Sequence, residues 1–375
     1  MRRIGVFVFY TPDGQVDDYI DVLLNSMQTI IQKLIVVING EICEAGFNKI
    51  EKYSDNIFVR ENQGYDVGAY KDVFTEPWLE DEWGNWDQII LFNDTFYGPI
   101  FPWENIFSLM EDEATDFWGL SRYPEGGCKM STGEEMPSHI QGYFLVCRKK
   151  MFLSLFWKEF WSRLEYPKSY IEAVERFEIN FTKYFTEKGY SNSAYTDKIP
   201  INIENGKNPY MYYFQDLICE FGFPILKKKT ICLMNLEELN TVIDYINEKT
   251  NYDTCLISSN IHRLYMNALF NPIAPFDSDK LKEFYDVHKR IFIYGCGAYG
   301  KGISRYFKYM GWEFEGYIVS QMDQEEDEMN IFAYNDMMFQ PEDGIILALG
   351  KESFYEVYPI VKKELSGSQL LYPIY

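Results

Sequence analysis

Between residues 4 and 92 the chain switches repeatedly between two hydrophobic periods, and this rhythm limits its fold more than any other feature. The apolar runs at 4–10, 34–38, 57–59 and 89–92 are short and continuous, as in buried strands. Segments 16–32, 43–53 and about 67–74 instead carry their apolar residues at helical spacing. Strand and helix in alternation predict an α/β fold with a mostly parallel sheet and right-handed crossovers. Ligands of such a sheet sit at the carboxyl ends of its strands.

Two polar segments fall at such ends. Arg60-Glu61-Asn62-Gln63-Gly64-Tyr65-Asp66-Val67-Gly68-Ala69-Tyr70-Lys71 follows the third run, and Asn93-Asp94-Thr95-Phe96-Tyr97-Gly98-Pro99 follows the fourth. A carboxylate closing a buried strand costs free energy unless something binds it, which makes Asp94 a candidate ligand of a divalent cation. Mg²⁺ or Mn²⁺ takes oxygen ligands and often only one or two carboxylates, with substrate phosphates completing the shell. The competing reading is an Asx turn begun by Asp94. In the first segment Gly64 and Gly68 would let backbone amides approach a ligand, and Asp66 could hydrogen-bond a ribose or base; the alternative is a strand-to-helix turn with Asp66 as N-cap. Together the segments suggest a site for a phosphorylated ligand and a metal.

The 375 residues suffice for two domains, and 47% hydrophobic residues provide for packed cores. A formal charge of -22, from 35 basic and 57 acidic residues, argues against a nucleic-acid partner and against broad adsorption to anionic lipid. Met1-Arg2-Arg3 precedes too short an apolar run for a secretion signal, and no run approaches the roughly 20 residues of a membrane-spanning helix. Seven cysteines without a Cys-x-x-Cys pair fit neither a disulfide framework nor a zinc site, and three histidines leave no histidine-rich metal site. The expected setting is the cytoplasm.

Further along, runs at 117–120 and 143–147 read as strands flanking a loop at 124–137 that could act as a lid. Helical patterns follow at 151–164, 170–188, 236–249 and 256–270, and two prolines near 271–279 mark a boundary. Beyond it the segments describe a small second α/β domain. The division expected is 1–235, a helical segment and linker at 236–279, and 280–375. The aromatics at 152–161 could suit a membrane interface, but their helical spacing favours core. Lys227-Lys228-Lys229 reads by default as a solvated turn.

The βαβ order and the two polar segments resemble the nucleotide-sugar-binding domain of GT-A-type glycosyltransferases, and more closely the rhamnan synthesis protein F family. Asp116-Phe117-Trp118-Gly119-Leu120, His139-Ile140-Gln141-Gly142-Tyr143-Phe144-Leu145-Val146, the Tyr170…Phe177-Glu178…Thr182…Gly189-Tyr190 pattern and Pro224-Ile225-Leu226-Lys227 are similar, in order, to that family's successive signatures. The resemblance implies a GT-A-like sheet flanked by helices. It also implies a nucleotide sugar donor, dTDP-L-rhamnose in the rhamnan case, and a polysaccharide or lipid-linked glycan acceptor. Association with a membrane assembly complex, at the inner face of the membrane, would fit such a role. Asn93-Asp94 is similar to the Asp-x-Asp element that holds metal and pyrophosphate; with Asn first, the metal role would rest on Asp94. Asn62, Gly64, Asp66 and Asn93 are then donor-binding candidates.

Inverting transfer needs a base for the acceptor hydroxyl. Glu178 is the leading candidate, on a helix whose Ile171, Val174, Phe177, Phe181 and Tyr184 form an apolar face, and by the resemblance it falls where inverting GT-A enzymes commonly carry their base. The alternatives are a surface Glu178 paired with Arg176 or Lys183, and Glu175 as the base. His139 and Gln141 could orient the acceptor, Trp118 could stack on a sugar, and Asp116 could be a second acid or a strand-start residue.

In the second domain, Gly295-Cys296-Gly297-Ala298-Tyr299-Gly300 after an apolar run fits the dinucleotide fingerprint. The acid that should meet the ribose is lacking at the usual distance, where Val319-Ser320-Gln321 stands and Asp323 comes late. A structural or docking role for this Rossmann-like module is therefore preferred to NAD binding, and the acidic stretch 323–328 reads as a solvated loop. Two other functions stay open: an NAD-dependent sugar oxidoreductase, and a non-catalytic scaffold of polysaccharide assembly.

Overall fold

Four strands, β1 (Arg3–Tyr10), β2 (Lys33–Asn39), β3 (Asn56–Arg60) and β4 (Gln88–Asn93), alternate with helices α1 (Asp18–Met27), α2 (Glu44–Ile50) and α3 (Tyr65–Thr75), as the rhythm requires. The structure is a computed structural model and describes all residues except 78–79, 112–114, 128, 232–235, 267–275, 277, 321–329 and 374–375. The described residues form two units, one of Met1–Ile231 with Leu236–His262, the other from Arg263 onward.

In the first unit β1 to β4 are parallel, and Phe7 of β1 lies between Val36 of β2 and Phe92 of β4. Nearly every residue of β1, β2 and β4 is buried, as in a parallel sheet covered on both faces. Strands β5 (Phe117–Gly119), β6 (Phe144–Arg148) and β7 (Asn192–Ala194) extend it to the order β7-β5-β6-β4-β1-β2-β3. Only β6 runs antiparallel to its neighbours. The fold is thus α/β, with a mostly parallel sheet flanked by helices.

The aromatic helix Leu155–Arg163 starts at Ser154, whose hydroxyl accepts from the Trp157 amide at 3.2 Å. It buries Trp157, Phe160 and Trp161 among Phe177, Phe181 and Phe185 while Leu155 remains 82% exposed. These rings belong to the core, where each contributes roughly 1.5–3 kcal/mol by leaving water. The next helical stretch runs Tyr170–Ala173, then a π-helical turn Val174–Ile179, then Asn180–Glu187. The wider turn shifts the phase of the expected apolar face, so Phe177 and Phe181 are buried but Ile171 is 60% exposed. Helix Leu236–Lys249, with Val242 and Ile246 fully buried, clusters with the first unit, although its sequence reads as part of an interdomain segment.

The second unit holds β8 (Arg290–Tyr294), β9 (Gly316–Val319), β10 (Ile331–Ala333), β11 (Asp343–Leu347) and β12 (Leu370–Leu371), all parallel, in the order β10-β9-β8-β11-β12. Chain order reverses between β8 and β11, beside the glycine-rich turn that follows β8.

Candidate active site

The turn from β3 into α3 is held in an uncommon conformation. Gly64 (φ 78°) and Tyr65 (φ 58°) are both left-handed, and a non-glycine residue there marks strain that surrounding contacts must hold. Asn39 Nδ2 donates to the Tyr65 carbonyl at 3.0 Å, and Arg60 donates to Asn39 Oδ1 and Asp72 Oδ2, each at 2.6 Å. Asp66 is thereby fixed in the first turn of α3, where it accepts from Asn93 Nδ2 at 2.7 Å and the Val67 amide at 2.9 Å. Burial pushes the Asp66 carboxyl above its ordinary value and the Glu178 charge adds to the push, while the Asn93 hydrogen bond and Lys227 oppose it. A Cβ on Gly64 would lie 2.8 Å from the Tyr166 ring, so the chain's own packing already requires a glycine here. Asn62 is exposed on the preceding loop and lines, with Gln63, Tyr166 and Lys168, a cavity of about 710 Å³.

Asn93 ends β4 as a bridge, because its amide nitrogen serves Asp66 while its oxygen accepts from Thr95 Oγ1 at 2.6 Å. Asp94 beside it is buried and lies 3.1 Å from Lys228 Nζ. That lysine arrives through a short antiparallel pairing of Phe96–Tyr97 with Leu226–Lys227, which lays the basic run across the strand end. The run is therefore not a solvated turn. Lys227 is only 7% exposed; its ammonium donates to Thr95 Oγ1 at 2.5 Å and stands 4.0 Å from the centre of the Tyr143 ring. Burial pushes it down to about 7, against the pull of Glu178, Asp66 and Asp94. Sequence reading missed both lysines in this role; the place of Lys227 at the end of the Pro224–Lys227 signature was the available signal, and Lys228 follows it directly.

Glu178 sits on the π-helical turn, a local widening often found at functional sites. Gly142 admits it: a Cβ there would lie 2.8 Å from the Phe177 ring and 3.1 Å from Glu178 Cγ. Glu178 Oε2 lies 3.7 Å from His139 Nε2, and His139 Nδ1 is 2.8 Å from the Pro137 carbonyl. A carbonyl only accepts, so Nδ1 carries a hydrogen, and Nε2 is the ring nitrogen that faces Glu178. Gln141 Oε1 accepts from Ser121 Oγ at 2.6 Å, and its side chain also hydrogen-bonds Tyr210. The fold thus gathers Asp66, Asn93, Asp94, His139, Gln141, Glu178, Lys227 and Lys228 at the carboxyl end of the sheet.

Other expectations are corrected. Trp118 is 0% exposed and packed on Phe107 and Phe144, so it has no face to offer a sugar. Asp116 is structural: burial alone would raise its carboxyl, but Ser191 and Lys150 outweigh burial and hold it below the usual range. Glu175, the rival base, accepts from Ser131 in the 124–137 loop, and Arg176 pairs with Glu165 and Glu172 instead of Glu178.

The donor set does not fit a divalent cation held by Asp94. The Asn93 oxygen is turned to Thr95, and Asp94 faces an ammonium that would repel a metal.

In the second unit, Gly295 has φ 102°, and a Cβ on Gly300 would lie 1.8 Å from the Gly295 carbonyl oxygen; a Cβ on Gly297 would meet nothing within 4 Å. Asp323 and the acidic stretch 323–328 lie outside the described residues.

The family model for rhamnan synthesis protein F matches residues 34–294, from β2 to the end of β8. The chain belongs to that family. Among curated relatives, uncharacterized protein y4gN of Sinorhizobium fredii (strain NBRC 101917 / NGR234) is 21% identical over 199 residues, 51% of this chain and 48% of that protein. Virulence protein VirA of Vibrio anguillarum (strain ATCC 68554 / 775) is 24% identical over 197 residues, 50% of this chain and 57% of that protein. The chain thus spans about half the length of the curated relatives it matches. Among solved structures, a putative nucleotide-diphospho-sugar transferase from Desulfovibrio desulfuricans G20 aligns with a TM-score of 0.33 at 11% identity, covering 66% of this chain and 98% of that one. Core-mannan synthase A from Aspergillus fumigatus, in its Mn/GDP form, aligns with a TM-score of 0.29 at 7% identity, over 46% and 68% of the two chains.

Proposed function

We propose that this member of the rhamnan synthesis protein F family is a nucleotide-sugar-dependent glycosyltransferase that inverts the anomeric centre of the sugar it moves. The donor suggested by the family is dTDP-L-rhamnose, and the acceptor a growing cell-surface polysaccharide or lipid-linked glycan, handled on the cytoplasmic side. Residues 1–235 would carry the chemistry and 280–375 a docking role. The observation that carries this reading is the hydrogen-bonded chain from Asp66 through Asn93 (2.7 Å) and Thr95 (2.6 Å) to Lys227 (2.5 Å) at the end of β4, with Glu178 near enough to act on both Asp66 and Lys227 electrostatically. A carboxylate there can take the acceptor hydroxyl proton as that oxygen attacks the anomeric carbon. The bond from that carbon to the nucleoside diphosphate breaks, and its electron pair leaves on the phosphate oxygen. His139 Nε2 lies 3.7 Å from Glu178 Oε2 and can orient that carboxylate. Asp66 supplies an acceptor for a ribose or base.

A screen of nucleotide sugars with glycan acceptors, read as nucleoside diphosphate release, tests the reading. Wild type should turn over one donor, and Glu178→Gln should lower kcat by about 10²- to 10⁴-fold without a change in melting temperature. Release that is the same in both proteins, or no donor bound or turned over with an authentic acceptor, defeats it.

A further inference from the structure

At the mouth of the site, two successive ammonium groups stand where a metal-binding strand end would present a second carboxylate. Lys228 Nζ contacts Asp94 Oδ2 at 3.1 Å and donates to Tyr19 Oη at 2.5 Å. Lys227, enclosed by the Tyr143 and Tyr210 rings, points at Thr95, an exposed residue next to Asp94. Burying a lysine is costly, and a second lysine beside it raises the cost, unless anions are near. Asp66, Asp94 and Glu178 supply part of that compensation. A ligand bearing two negative charges would supply the rest.

We propose that Lys227 and Lys228 receive the diphosphate of the donor and stabilise the charge that gathers on it as the glycosidic bond breaks, in place of a divalent cation. This rests on the glycosyltransferase reading. The step needs no further reactant: the electron pair of the broken bond stays on the leaving phosphate oxygen, and two fixed ammoniums offset it in a cleft where such charges act strongly. Asn93, in the place of the first acid, is consistent with it, since its side chain holds Asp66 and Thr95 instead of a metal.

The test is titration of the full chain with dTDP, UDP and inorganic pyrophosphate, in EDTA and in Mn²⁺, together with turnover of the donor found by screening. At least one diphosphate should bind in EDTA, with an affinity that Mn²⁺ leaves unchanged, and turnover should persist in EDTA. Lys228→Gln should weaken binding about tenfold or more, Lys228→Arg should recover most of it, and Lys229→Gln should bind as wild type. Lys227→Met, with its melting temperature as a folding check, should also weaken diphosphate binding about tenfold or more, and a folded variant that binds as wild type overturns the role given to the buried ammonium. Binding or turnover that appears only with Mn²⁺ or Mg²⁺, or a Lys228→Gln variant that binds as wild type, overturns the proposal while leaving the transferase reading in place. Diphosphate binding in EDTA with no sugar nucleotide turned over overturns that reading and leaves the anion site standing.

Discussion

The two units share a plan and differ in what it carries. Parallel strands take the order β3-β2-β1-β4 in the first and β10-β9-β8-β11 in the second, so each has a reversal of chain order and a crevice at its carboxyl ends. In the first, that end collects charge from four distant stretches: Asp66, Asn93 to Thr95, Glu178 and the lysines at 227 and 228. In the second, the turn after β8 is built of glycines, and a tight ion pair, Arg290 with Asp343, lies at the opposite end, on the first residues of β8 and β11. Topology makes the crevice, but side chains delivered from outside the βαβ unit make a site.

If the glycines of the second unit serve the fold, removing one should cost stability. Gly300→Ala is the most damaging change by this logic, because its Cβ would meet the Gly295 carbonyl oxygen at 1.8 Å and neither backbone can yield cheaply. A loss of about 2–3 kcal/mol is expected in calorimetric unfolding of the second unit. An unchanged transition would mean that the turn is free to move, and the contrast with the first unit would weaken.

The ion pair at the other end gives a smaller effect. Burial alone would raise the Asp343 carboxyl, but hydrogen bonds from Arg290 at 2.8 and 2.6 Å and from the Gln340 amide at 2.7 Å outweigh it and hold the group below its ordinary range. A depressed carboxylate contributes stability that is present above the unfolded value, about pH 4, and is lost as pH falls through the folded value. Asp343→Asn should cost about 1–2 kcal/mol at neutral pH. It should also flatten the acid limb of the unfolding profile; an unaltered limb would show that the pair is not structural.

What could be read from sequence was local. The apolar periods of β1 to β4 and α1 to α3 come from neighbouring residues, and so do Asp66, Asn93 and Asp94, which simply follow strands. Glu178 was legible because its helix is amphipathic, but the π-helical turn was not, since one wide turn leaves the residue pattern intact while rotating everything before it. β7 has the sequence Asn-Ser-Ala, with no apolar signal, and exists because β5 offers an edge. Trp118 looked available because a three-residue strand does not reveal which helix covers it. The lysines failed for the strongest reason: their burial depends on Leu226–Lys227 pairing with Phe96–Tyr97, and the Lys227 ammonium bonds a residue 132 positions away.

The smallest expected effect is the sharpest test of the contrast. Gly297 is the glycine of the fingerprint that the fold does not use: a Cβ there meets nothing within 4 Å, and its φ is not left-handed. Gly297→Ala should therefore leave stability within about 0.5 kcal/mol of wild type, in contrast to Gly300→Ala. The open space in front of it is also where a dinucleotide pyrophosphate would have to approach the start of helix Ala298–Met310. With a structural or docking role for this unit, NAD⁺ and NADH should produce no thermal shift in either protein. A shift in wild type that Gly297→Ala abolishes would show that this crevice also holds a ligand, reached through the backbone of the glycine turn.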